Sequence, residues 1–220
     1  MTKGDRKSRK RMIDAAERLF SEKGFSETSV DDICDEVGVA HGLFYYYFDT
    51  KGEMIEAITN NLIGEIESSL KEIVDDPELE ADEKFIRFMN LAFQRKKKRP
   101  YLVSYFSKED NPQLYHRLFE KSVEITTSYL TKIVEQGIEE DIFDTEYPEQ
   151  TIRFWLNGRK FLMDKFDPLE EGIFEDMKAE AYILERLLGA ENRFLTTFYQ
   201  NYEEEIKEYI KKATRGEQDG

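Results

Sequence analysis

The chain has 220 residues, of which 36 % are charged and 40 % hydrophobic, with one cysteine and a net charge of −15. This length is ample for a sizeable core. A lone cysteine excludes an internal disulfide framework, no window approaches the ~18 apolar residues of a membrane span, and the basic start MTKGDRKSRKRM has no apolar stretch behind it, so it is not read as a secretory signal; a soluble, cytoplasmic protein with no membrane partner is expected.

The charge is unevenly placed. Residues 1–11 hold Lys3, Arg6, Lys7, Arg9, Lys10 and Arg11 against Asp5 alone, and residues 1–51 hold 9 Lys and Arg against 10 Asp and Glu, so −14 of the net charge lies beyond residue 51. An acidic surface repels phosphate, but the N-terminal segment is free of that excess, and the two parts are expected to do different work. Lys3 to Arg11 reads as a basic arm ahead of the first helix, either a solvated tail or a contact to phosphate and minor groove.

Residues 9–23 place Met12, Ile13, Ala16, Leu19 and Phe20 at helical spacing and stop at Gly24. Ser29 is a suitable N-cap for a second helix, with Asp31 and Asp32 suited to its positive first turn. Val30, Ile33 and Val37 form the inner face of that helix, and Gly38 ends it. After a turn at Val39 and Ala40, HGLFYYYF reads as a third short helix, and DTKGEM opens a fourth, with Glu53 where a capping box needs it. Helical patterns follow over 53–74, 83–99, 101–107, 112–140, 148–166 and 173–212, the last with a candidate break at Leu188-Gly189. No stretch reads as a strand and no internal repeat is visible. The expected fold class is all-α, with a small N-terminal domain at 1–51 and a larger helical domain at 52–220.

Two short helices joined by a glycine-containing turn after a longer helix form a helix-turn-helix, which sets its second helix into the major groove of DNA. Phe44 and Phe48, four apart, are expected to turn inward against Leu19, Phe20 and Ile33. Tyr45, Tyr46 and Tyr47 sweep the other faces, where a hydroxyl donates to phosphate oxygens and a ring edge meets a thymine methyl.

The ordered motifs AAERLFSEKGF, TSVDDIC, GVAHGLFYYYF and DTKGEMIEAI together resemble the N-terminal domain of the TetR family of transcriptional regulators over about residues 9–58. The resemblance implies a homodimeric one-component regulator, a repressor that binds palindromic double-stranded DNA and is released by a small-molecule effector. It implies that Ser29 caps the second helix and binds phosphate, that His41, Gly42 and Leu43 face the groove floor, that Tyr45 lies near bases and backbone, that Tyr46 and Tyr47 reach phosphates, and that Lys51 binds phosphate. Leu43 departs from the family's small polar residue, Cys34 from a common alanine, and Asp31 and Asp32 put acid near the expected contact surface. The last two family helices pair as a four-helix dimer interface, which here implicates Trp155, Gly158, Leu162, Leu184, Leu187 and Leu188.

The aromatic residues of the middle helices suit a core and also an apolar pocket; Phe88, Tyr105, His116 and Trp155 are the candidate effector contacts. The run RKKKR at 95–99 is a solvated helix end or a surface for anions. With His41 and His116 the only histidines, a His-rich metal site is excluded and no cofactor is expected. No nucleophile–base set or Gly-rich phosphate loop points to an enzyme. The alternative reading is a helical ligand-binding or scaffold protein that keeps the fold and has lost specific DNA binding.

Overall fold

The computed structural model describes residues 3–98, 112–164 and 173–201, with 203 and 207. Among these there are nine helices and no strand: α1 Lys3–Lys23, α2 Val30–Val37, α3 His41–Tyr47, α4 Lys51–Val74, α5 Ala81–Lys98, α6 Pro112–Glu139, α7 Pro148–Asp164, α8 Ile173–Leu187 and α9 Phe194–Asn201. The helix expected at 101–107 lies outside the described residues. The chain divides into two compact units, Met1–Glu67 with Arg95–Glu120, and Ser68–Gln94 with Lys121–Gly220. Residue 51, the expected boundary, is where α4 begins, and the first unit follows that helix to Glu67.

In the first unit α1 starts at Lys3, not at residue 9. The basic segment is therefore helix and not an arm preceding one. Lys and Arg are good helix formers, and two of the cations have local partners. The Arg9 guanidinium lies 4.8 Å over the Phe48 ring, and Arg11 donates to the Val37 carbonyl at 2.9 Å. The core beneath is apolar throughout, with Met12, Ala16, Phe20, Ile33, Phe44, Met54 and Ile55 fully buried. Each large side chain there contributes about 1.5–3 kcal/mol by leaving water.

α2 is short, so its ends matter. Ser29 Oγ accepts from the Asp32 N–H at 3.0 Å and Asp32 Oδ2 accepts from the Ser29 N–H at 2.7 Å, a complete capping box. At the far end Gly38 takes a left-handed φ of 71°, its N–H donates to Asp35 O at 3.1 Å, and the Val39 N–H donates to Cys34 O at 3.0 Å. This 6→1 and 5→2 pair is a Schellman closure, and it fixes the direction in which α3 leaves.

In the second unit Phe85 packs its ring against Trp155 and Phe194, with centroids 5.8 Å away in both cases. The Lys84 side chain is buried, and its ammonium donates to Val74 O at 2.7 Å and Gln136 Oε1 at 2.7 Å, tying the last residue of α4 to α5 and α6. Gly137 has no room for a side chain, because a Cβ there would stand 2.1 Å from the Phe143 ring. The stretch 173–212 breaks where Leu188-Gly189 predicts. α8 ends there, and the buried Glu185 carboxylate accepts from the Thr196 N–H at 2.8 Å and the Thr196 hydroxyl at 2.7 Å, capping α9.

Candidate functional site

α3 is divided along its length. Phe44 and Phe48 are buried as expected, with ring centroids 5.7 Å apart. On the other side Tyr45 is 55 % and Tyr46 65 % exposed, a high value for a large apolar ring. His41 and Gly42 are exposed at the start of the helix. A Cβ added at Gly42 would meet nothing within 4 Å, so packing inside the chain does not require glycine there. Leu43 and Tyr47 behave differently from their neighbours. Leu43 is half-buried against the core, and Tyr47 is half-buried with its hydroxyl hydrogen-bonded to Ser8 of α1. Burial and the nearby Asp5 carboxylate push the Tyr47 hydroxyl above its ordinary value. The expectation that these two face DNA as openly as Tyr45 and Tyr46 is thus corrected. On a seven-residue helix the inward face is wide, and apolar Leu43 falls within it.

The acids flanking α3 are engaged locally. Asp32 belongs to the capping box and also pairs with Lys23 at 2.9 Å. Hydrogen bonds from the Ser29 side chain and backbone, then Lys23, hold its carboxyl well below the usual carboxylate range. Asp31 pairs with the His41 imidazole. Lys51, the first residue of α4, donates to Phe25 O at 2.6 Å and Thr28 O at 2.7 Å and lies 4.2 Å over the Phe25 ring. Burial draws its pKa down, while Glu27 and Asp32 act the other way. Sequence reasoning missed this structural duty of Lys51. An ammonium has three donors, so one remains after both carbonyls are served. Ser29 Oγ caps α2, as read from the sequence, and also donates to Asp32 Oδ2 at 2.7 Å.

This arrangement coincides with a known domain. Residues 12–58 match the family of bacterial regulatory proteins called tetR. The N-terminal domain belongs to the tetR family. The chain is 41 % identical over 56 residues to an HTH-type transcriptional regulator from the lacX 3′ region of Lactococcus lactis, covering 26 % of this chain and 29 % of that protein. It is 34 % identical over 73 residues to the HTH-type transcriptional repressor KstR2 of Rhodococcus jostii, covering 33 % and 36 % of the two chains. The match thus spans about a third of the length of these curated relatives. The fold likeness runs further. The structure of RolR with resorcinol superposes with a TM-score of 0.63 at 15 % identity, over 90 % of this chain and 96 % of that one. Thermus thermophilus FadR in complex with lauroyl-CoA gives 0.60 at 16 %, over 82 % and 94 %.

Beyond the tetR-family domain the candidate effector residues separate. Phe88 and Trp155 come together in the second unit, ring centroids 6.4 Å apart, with Phe85 beside both. His116 is exposed in the first unit, paired with Glu120 at 3.1 Å, and is corrected out of the pocket. Its apolar sequence neighbours did not reveal that it points outward. Tyr105 lies outside the described residues, as does residue 99 of the basic run; the side chains of residues 95–98 and of Leu162 are likewise not described.

The candidate dimer residues also divide. Trp155, Leu184 and Leu188 are buried in the chain's own core, which corrects their assignment to an interface. Gly158 and Leu187 are exposed, and Phe154 (70 % exposed), Tyr182 and Ile183 join them as an outward apolar set. α8 carries apolar residues on two faces, and periodicity alone does not say which turns inward. Among the described residues no group of His, Cys, Asp or Glu is placed to hold a metal, and no helix is long and apolar enough to cross a membrane.

Proposed function

We propose that the chain is a transcriptional regulator, a repressor, that binds palindromic DNA as a homodimer and is released when a small-molecule effector binds the second unit. The observation that carries this reading is α3. Its inward face is sealed by Phe44, Phe48 and Leu43, while His41, the bare backbone of Gly42, Tyr45 and Tyr46 are presented to solvent together. Such a set contacts base edges and phosphates without a strongly basic surface. The Lys23 ammonium beside Asp32 lessens the repulsion that carboxylate offers a phosphate. The third donor of Lys51 is assigned to a phosphate, as is the Tyr46 hydroxyl; the Ser29 hydroxyl proton is already given to Asp32 Oδ2.

Dimerisation is assigned to Phe154 and Gly158 of α7 with Ile183 and Leu187 of α8. A Cβ added at Gly158 would meet nothing within 4 Å, so that side of α7 is open to close helix approach. Two-fold symmetry then requires half-sites about one helical turn of DNA apart or a multiple of it. Helix α4 begins in the first unit and ends in the second, and is the element assigned to carry the effector signal.

Selection of bound duplexes from a random DNA pool tests the reading. Enrichment of a palindrome supports it. A pool that stays random at low salt, with the protein folded, would favour a helical ligand-binding protein without DNA binding.

A further inference from the structure

Among the described residues, four buried side-chain atoms of the second unit lack a hydrogen-bond partner, the Thr127 and Thr131 hydroxyls, Trp155 Nε1 and Glu180 Oε1, and the last two lie beside one guanidinium. Trp155 is 4 % exposed, and its indole Nε1–H, which has only a donor role, has no hydrogen-bond partner. Arg159, one turn further along α7, holds its guanidinium 5.3 Å over that indole. The same guanidinium lies 3.2 Å from Glu180 Oε1 of α8 and hydrogen-bonds Tyr199 of α9. Glu180 is 5 % exposed, yet Oε1 accepts no hydrogen bond despite the ion-pair contact. Burial alone would draw Arg159 down, but Glu180 and Tyr199 hold it above its ordinary value. Phe85 and Phe88 stand 5.8 and 6.4 Å from the Trp155 ring. Buried polar atoms are nearly always partnered, and an exception calls for an explanation, of which a bound molecule is one.

We propose that this cluster is the polar end of the effector site, and that it takes a small neutral aromatic molecule carrying a hydroxyl group. The inference rests on reading the second unit as an effector domain. One hydroxyl has both roles to offer, since its oxygen can accept from Trp155 Nε1–H and its proton can go to Glu180 Oε1. The ligand ring suits the edges and faces of Phe85, Phe88 and Trp155. Neutrality follows from charge. Arg159 and Glu180 already balance, so a carboxylate ligand would set a second anion beside a buried one. A hydrocarbon of the same shape would leave Trp155 Nε1–H without an acceptor and Glu180 Oε1 without a hydrogen-bond donor, which disfavours it.

The chain has a single tryptophan, so its indole N–H gives one ¹H–¹⁵N resonance. The full chain is titrated without DNA against phenol and 2-naphthol, with toluene and benzoate as controls. The hydroxylated probes should shift that resonance saturably and bind at least about tenfold more tightly than toluene, the scale of one satisfied polar contact. Benzoate should not saturate. In Trp155→Phe, which keeps an aromatic ring and loses the donor, calorimetry should find the preference for phenol over toluene reduced to about threefold or less. No saturable shift with either hydroxylated probe, or equal affinity for phenol and toluene, overturns the ligand class. A hydroxylated probe that binds here but leaves affinity for a selected palindrome unchanged overturns the effector role of the site and leaves DNA binding standing.

Discussion

At Gly42 the first unit leaves a gap that alanine would fill without a clash, in a helix where glycine is the weaker former. Gly42→Ala should therefore stabilise the folded chain by about 0.5–1 kcal/mol in urea denaturation. If the bare backbone serves close approach to DNA, the same change should weaken operator binding by about tenfold, one contact's worth. Lys51 shows the opposite mixture of duties. Lys51→Ala removes a charged donor from two carbonyls and should lower stability by about 1–3 kcal/mol with no DNA present. It should also reduce the slope of log affinity against log salt by about one, if its remaining donor meets a phosphate. An unchanged slope would confine Lys51 to its structural role. The spacing of Phe44 and Phe48 made their inward face legible in the sequence. The half-burial of Leu43 and the Tyr47–Ser8 bond were not, because they depend on how closely α1 passes a helix of seven residues.

At the scale of the element, α2 shows how a short helix is held by its ends. The sequence showed its start, since Ser29 is a suitable N-cap and Asp31 and Asp32 suit the positive first turn. It also showed its stop at Gly38. Asp32 has a folded pKa depressed below its ordinary 3.8, so its contribution to stability is present above that value and lost as the pH falls through it towards the folded value. The difference in thermal midpoint between the native chain and Asp32→Asn should accordingly be widest near pH 6 and narrow steadily as the pH falls below the ordinary 3.8. A gap independent of pH would show that charge at Asp32 does not matter. α1 was only partly legible. Its apolar positions set the helix from residue 9, but its first turns depend on Arg9 meeting Phe48 and Arg11 meeting the Val37 carbonyl, partners far away in sequence.

For the whole molecule, the all-helical plan was readable from periodicity, and the tetR-family domain from dense local motifs. The outward face of α8 was not, because buried Leu184 stands next to exposed Ile183, and buried Leu188, just past the helix end, next to exposed Leu187, so a shift of one residue exchanges core for surface. The double change Phe154→Glu and Ile183→Glu should give a monomer by light scattering, with helical circular dichroism retained and preference for a palindrome lost. A dimer that persists would remove this face from the assembly. If ligand and DNA are coupled, each must weaken the other by the same factor.

α4 is also a mechanical part. Its 24 residues make a rod about 36 Å long. A lysine pins each end to a main-chain carbonyl: Lys51 grips Phe25 and Thr28 at the start, and Lys84 grips Val74 at the finish. Each end of α4 is thus tied to backbone within its own unit, so fraying of its first or last turn gives up charge-assisted hydrogen bonds, a resistance that helix propensity alone does not supply.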